Sequence, residues 1–231
     1  KTVAMVEDAA AAMKQNAISG KKILFVATKK QAKGLVAEAA EALNMPYITE
    51  RWPGGLLTNF ATIRKSIKKM QIIDKMKENG TFDSLSKRER LQIDRQRAKL
   101  DLNLGSIVKM TRMPEAVFII DTNKEHIALA ESNKLGILSF AMNDTNTNPT
   151  HVNFPIPGND DATKSIECIL SIVTKAIAEG LEERNTEQDK KAVQKKEKAK
   201  KIAEGLEEKN TEKDKKPVEK IKKAKKIAEE K

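Results

Sequence analysis

The sequence predicts an α/β fold: a Rossmann-like, mostly parallel sheet with helices on both faces and an inserted two-helix arm. Short apolar runs alternate with helical stripes on both sides of residues 60–112, as alternating strand and helix elements require. Residues 60–112 themselves carry a long, narrow apolar seam at helical spacing, where a doubly wound fold needs only one crossover helix. The chain closes on a charged C-terminal tail.

At the start, Val3, Val6, Ala9 to Ala12 and Met13 follow helical spacing up to Gly20. A chain opening at Lys1 inside such a pattern suggests that its true beginning has been removed. Ile23 to Val26 suit a strand buried on both faces, and Leu35, Val36, Ala39 and Leu43 give the next helix its buried stripe. Pro46 to Thr49 start a second strand before Trp52-Pro53-Gly54-Gly55 interrupts regular structure.

The arm's first helix places Phe60, Ile63, Ile67, Met70, Ile73 and Met76 at three- and four-residue steps, a seam of coiled-coil type. Asn79-Gly80 makes the turn. Ser86 with Glu89 forms a capping box that starts the second helix, and Leu100, Leu104 and Ile107 continue the seam until the helix ends before Pro114. Strand Ala116 to Ile120, helix Lys124 to Lys134 and strand Ile137 to Ala141 follow. Residues 143–161 read as a long polar loop around Phe154-Pro155-Ile156, ending in the helix-capping run Asn159-Asp160-Asp161. Ile166, Ile169, Leu170 and Val173 stripe the helix beyond. The expected domains are a core of residues 1–59 and 113–178, the arm, and a tail of residues 179–231. In the tail, Ile177 to Glu183 recurs as Ile202 to Glu208, and its charge density predicts disorder or a marginal helix.

Charge is zoned. The formal net charge is +11, and the arm alone carries fourteen Lys and Arg against six Asp and Glu, a surplus that attracts polyanions. No run reaches the roughly 18 apolar residues of a membrane helix, so a soluble chain without a membrane partner is expected. One cysteine, Cys168, forms no internal disulfide.

Enzyme signatures are scarce. The turn after the first strand, Ala27 to Lys30, lacks the glycine fingerprint for a pyrophosphate, and Gly54-Gly55 is not followed by the Lys-Ser or Lys-Thr of a phosphate loop. Glu50, Asp121 and Asp144, at predicted strand ends, are the best residues for catalysis, with capping or loop hydrogen bonding as the favoured role. His126 and His151 lack metal spacing, and Cys168 reads as a small hydrophobe packed on its helix. No cofactor, metal or small-molecule substrate is expected.

Basic residues are the better candidates. Arg64, Lys65, Lys68 and Lys69 form one stripe, and Lys87, Arg88, Arg90, Arg95, Arg97 and Lys99 supply a second on the returning helix, suited to phosphate oxygens. Lys29 and Lys30 at the first strand's end join them. Arg51 and Trp52 are candidates to clamp or stack RNA, with a core anchor as the alternative for Trp52.

The run Arg51-Trp52-Pro53-Gly54-Gly55-Leu56-Leu57-Thr58-Asn59-Phe60 resembles the signature of the S-two family, the universal second protein of the small ribosomal subunit. Pro114 through His126, Glu131, Gly136, Asn143 to Asn146 and Phe154 to Asp161 resemble that family's later signature in the same order. The wording is most similar to bacterial or organelle members, and the family's N-terminal segment is absent. The resemblance implies a non-catalytic structural constituent of the ribosome, cytoplasmic or in an organelle. Its partners would be ribosomal RNA and neighbouring proteins of the small subunit, including in bacteria the large messenger-binding one. From the residues alone, a protein-docking scaffold with a coiled-coil arm and a nucleotide-dependent enzyme stand as alternatives.

Overall fold

A computed structural model describes residues 1–187. The chain divides into a unit of Lys1–Arg184 and a second of Asn185–Lys231. The second copy of the duplicated motif, Ile202 to Glu208, lies outside the described residues.

The first unit runs α1 (Thr2–Ile18), β1 (Ile23–Val26), α2 (Lys30–Ala42), β2 (Tyr47–Ile48), α3 (Phe60–Glu78), α4 (Lys87–Leu104), β3 (Ala116–Ile120), α5 (His126–Leu135), β4 (Leu138–Asn143) and β5 (Phe154–Pro157). A last helix, α6, begins at residue 163 and runs to the end of this unit. The five strands form one parallel sheet in the order β2-β1-β3-β4-β5. The chain therefore reverses its winding direction between β1 and β3, which is where such sheets open a crevice at their strand ends.

Strand alternation sorts the core into two layers. Ile23, Phe25, Ala116, Phe118 and Ile120 face α1, α2 and α6, whereas Leu24, Val26, Val117 and Ile119 face α5 and the root of the α3–α4 hairpin. Both faces are covered, as a parallel sheet demands. Phe25, Phe118 and Phe140 are wholly buried, each contributing roughly 1.5–3 kcal/mol of apolar burial.

The fifth strand corrects the expectation of an irregular loop at residues 154–157. Prolines at 155 and 157 hide it from pattern reading, yet it pairs with β4 alone, so one side needs no ladder donors. Pro155 and Pro157 carry no N–H to leave unpaired on that side.

Helices α3 and α4 pack against each other as a helical hairpin. Ile67, Met70 and Ile73 are buried between α3 and α4, and Gly80 takes the positive φ of +71° needed at the turn. Ser86 accepts from the Glu89 backbone N–H while the Glu89 carboxylate accepts from the Ser86 N–H, completing the capping box. The seam's lower end merges with the core through Phe60, Ile63, Ile67, Leu100, Leu104 and Ile107, which anchors the hairpin to the sheet.

Helix α6 continues past residue 178 with Ile177 buried and Leu181 packed on the core. Gly180 explains the close packing, because a Cβ there would stand 2.7 Å from the Lys14 carbonyl oxygen of α1. Among the described residues, no helix is long and apolar enough to cross a membrane.

Candidate RNA interface

Two regions gather charged side chains. The first is the crevice at the carboxyl ends of β1 and β3. Lys29 follows β1 there, with its ammonium 3.0 Å from Asp121, 2.8 Å from Asp160 and 2.8 Å from Asp161. Burial alone would lower the Lys29 pKa, but the three carboxylates outweigh it and raise the pKa above the ordinary lysine value. Asp160 is raised chiefly by its own burial, against the Lys29 contact, with Asp121 and Asp161 adding repulsion. One cation faces three acids, which raises the Lys29 pKa, while burial raises that of Asp160.

The neighbouring groups close the same crevice. Thr28 donates to Glu125, whose carboxyl is pushed up mainly by burial. Asp121 Oδ1 accepts from the Asn123 and Lys124 backbone N–H groups at 3.0 and 3.2 Å, the capping role expected from sequence. Lys124 donates to the Thr28 carbonyl, tying the β1 end to the β3 end. Asp144 accepts from the Thr145 N–H, and Glu50 pairs with Lys33 at 2.9 Å. The residues best placed for catalysis thus spend polar atoms on ion pairs and on loop hydrogen bonds. Asp144, Asp160 and Asp161 bring carboxylate oxygens within 4.8 Å of one another, a spacing that suits a cation, and Lys29 already lies against two of them. Asp160 Oδ2 and Asn143 Nδ2 are buried there without hydrogen-bond partners among the described residues.

The Trp52 loop is held by one side chain. Glu131, 8% exposed on α5, accepts from Trp52 Nε1 at 3.1 Å and from the backbone N–H groups of Gly55, Leu57 and Thr58 at 2.7, 3.0 and 3.1 Å. Burial would raise its pKa, yet these hydrogen bonds prevail and hold it below the usual carboxylate range. Trp52 is 6% exposed and belongs to the hairpin-side core, the anchor alternative, while Arg51 beside it is exposed. Sequence reasoning missed this role for Glu131: its donors, Thr58 Oγ1 at 3.2 Å among them, sit more than 70 positions away, and no local pattern marks it.

The hairpin is the second region. Lys65, Lys68 and Lys69 are exposed on one face of α3, and Lys87, Arg88, Arg95 and Lys99 are exposed on α4. Among the described residues none of these seven forms an ion pair. Three further candidate cations of the arm are engaged. Arg64 donates to the Met110 carbonyl at 3.1 Å, Arg97 holds Asp74 at 2.7 Å and Asp101 at 3.3 Å, and Arg90 reaches Asp83 at 3.9 Å. Lys30 is exposed at the start of α2, away from the hairpin in sequence. The structure therefore leaves Lys30, Arg51 and the seven hairpin cations facing solvent, and turns Lys29 and Trp52 inward.

Cys168 departs from expectation. It is exposed, because Ile166, Ile169 and Leu170 occupy the buried stripe of α6 and residue 168 falls on the opposite side. His126 lies with Nδ1 3.2 Å from the Asn123 carbonyl oxygen, and His151 is exposed.

A doubly wound sheet whose strand-end crevice is filled by its own Lys29 cage, carrying a helical hairpin with seven exposed cations unpaired among the described residues, places the chain in the class of α/β proteins with an inserted basic helical hairpin. Comparison with known proteins narrows this class: the family model "Ribosomal protein S2" matches residues 1–180, and the chain belongs to that family. It is similar to the small ribosomal subunit protein uS2 of Flavobacterium johnsoniae, 61% identical over 194 residues covering 84% of this chain and 76% of that protein. The uS2 of Parabacteroides distasonis is 62% identical over 188 residues, covering 81% of this chain and 68% of the relative. That of Phocaeicola vulgatus is 64% identical over 188 residues, covering 81% and 67%.

Proposed function

We propose that this chain is a structural constituent of the small ribosomal subunit that binds ribosomal RNA through the α3–α4 hairpin and performs no catalysis. The observation that carries this reading is the set of unpaired cations on an otherwise ordered hairpin. Lys65, Lys68 and Lys69 on α3, with Arg88, Arg95 and Lys99 on α4, have no carboxylate to neutralise them among the described residues. Phosphates would do so, releasing counterions and giving salt-dependent affinity, while RNA shape sets placement. Arg51 and Lys30 extend the basic surface onto the core. The relatives' printed names agree with a place in the small subunit. Neighbouring ribosomal proteins, including in bacteria the large messenger-binding one, and a ribosomal location in the cytoplasm or an organelle complete the reading.

The test is co-sedimentation of the tagged chain with small ribosomal subunits on a sucrose gradient. The unaltered chain is expected to migrate with the subunit, and K65E/K68E/K69E to remain at the top with unchanged circular dichroism. Normal incorporation of that triple variant would reject the hairpin as the RNA contact.

A further inference from the structure

A second basic feature lies at the opposite end of the sheet from the Lys29 cage. The chain segments entering β1, β2 and β3, together with the return from α4, enclose a cleft of about 830 Å³. Small-ligand clefts span roughly 300–1,000 Å³. Its apolar wall is Met113 and the half-buried Tyr47, backed by the buried Met45 and Met110. Methionines adapt to irregular flat groups, and aromatic rings stack on bases. Met113 is 42% exposed.

The cations around this wall outnumber their partners. Of the two acids lining the cleft, Glu115 pairs with Lys21 at 2.8 Å and Glu41 accepts from the Tyr47 hydroxyl. Lys22, Lys109 and Arg112 are left without a carboxylate partner among the described residues. Lys22 donates to the Asn44 carbonyl at 2.9 Å. The Arg184 guanidinium stands against Gly20 at the rim, since a Cβ there would lie 2.7 Å from Arg184 Cζ. Burial first, then Arg184 and Lys109, lower the Lys22 pKa, so these cations repel one another across the site. An anion relieves that repulsion.

We propose that this cleft takes one unstacked nucleotide of ribosomal RNA, its phosphate held by Lys22, Lys109 and Arg112 and its base set against Tyr47 and Met113. The inference rests on the RNA-binding reading above and adds a second contact on the core. A cationic rim over an apolar, aromatic-bearing wall matches the two halves of a nucleotide, and splayed bases of single-stranded RNA are read by stacking of this kind. An acidic peptide would satisfy the rim but leave the apolar wall uncovered. The hairpin leads into the same place, because Arg64 of α3 donates to the carbonyl of Met110 in the cleft wall. One RNA can follow both.

The experiment uses the whole chain assembled into small ribosomal subunits, with the photo-crosslinking residue p-benzoylphenylalanine placed at Met113 or, as a hairpin control, at Lys68. Both positions are exposed, so folding is spared. The expected result is a Met113 crosslink concentrated at a single nucleotide, alongside a Lys68 crosslink elsewhere. A Lys68 crosslink without one from Met113 overturns the cleft and leaves the hairpin standing; absence of both overturns the RNA reading itself. A Met113 crosslink to protein overturns the nucleotide assignment in favour of a peptide. In parallel, K109Q/R112Q should flatten the salt dependence of RNA binding by about one phosphate contact, because both cations hold the same phosphate. An unchanged slope overturns the phosphate assignment. Tighter binding of adenosine monophosphate than of a single-stranded adenosine tetranucleotide would reassign the cleft to a free nucleotide.

Discussion

The Lys29 cage and the α3–α4 hairpin both concentrate charge, and they treat it in opposite ways. Lys29, with its side chain 14% exposed, meets three carboxylates, and its charge is consumed inside the protein. Lys68 and Lys69 stand on a helix whose nearby acids are already committed, Asp74 and Asp101 to Arg97 and Asp94 to Lys77. Counting residues makes these lysines equivalent. What separates them is where the acids lie, and that decides whether a cation holds the fold together or waits for a partner.

Replacing Lys29 is the strongest way to break this contrast. Lys29→Met leaves Asp121 and the 1%-exposed Asp160 without their cation, and removing one member of a buried ionic set costs about 3–5 kcal/mol. The sign with pH follows from the shifts. The Lys29 pKa is raised, so its contribution is fully present below the unfolded lysine value near 10.4 and is lost only as pH rises through the folded value. In the variant, Asp160, whose pKa burial already raises, would face Asp121 and Asp161 with no cation between them, so the stability deficit should be large at pH 8 and shrink at pH 5. Urea unfolding at the two pH values measures it. Unaltered stability with weakened RNA binding would make Lys29 a ligand group and erase the distinction.

Glu131→Gln probes the same principle with a lone carboxylate. The amide keeps one acceptor and points donors at backbone N–H groups, so an unsatisfied buried group costs about 1–3 kcal/mol. For a chain of this size the melting temperature should fall by roughly 3–10 °C. Because the Glu131 pKa is depressed, its contribution is present above the unfolded value near 4.3 and is lost as pH falls through the lower folded value. Melting curves of the two proteins should therefore differ at pH 7 and converge below about pH 4. A constant gap down to the most acid condition would show that packing of Trp52, not the carboxylate charge, holds the loop.

Sequence alone exposed the parts of the fold whose causes are local. The Ser86/Glu89 capping box needs two side chains three residues apart, and Ile23 to Val26 announce a strand covered on both faces by their own composition. The fifth strand was hidden because Pro155 and Pro157 are tolerated only at a sheet edge, and edge position is a property of the assembled sheet. The candidate site divides along the same line. Spacing placed Lys65, Lys68 and Lys69 on one helix face, but nothing near Lys29 in sequence foretold Asp160, 131 residues away. Cys168 sits beside Ile169 and Leu170 in the chain yet points away from them, because neighbours on a helix do not share a face.

The smallest expected effect sharpens the comparison most. K65A/K68A/K69A removes three charges from the hairpin where Lys29→Met removes one from the cage, yet these lysines are exposed and form no ion pairs among the described residues. Exposed substitutions of this kind change stability little, so the melting temperature should move by less than about 2 °C. Removing cations that repel one another would even favour a slight rise at low salt, where the Debye length is longest. The same variant should lose RNA affinity with a salt slope shallower by roughly one per contact removed. A clear drop in melting temperature would mean that the hairpin lysines are bound inside the protein after all, and the difference between the two regions would then be one of degree.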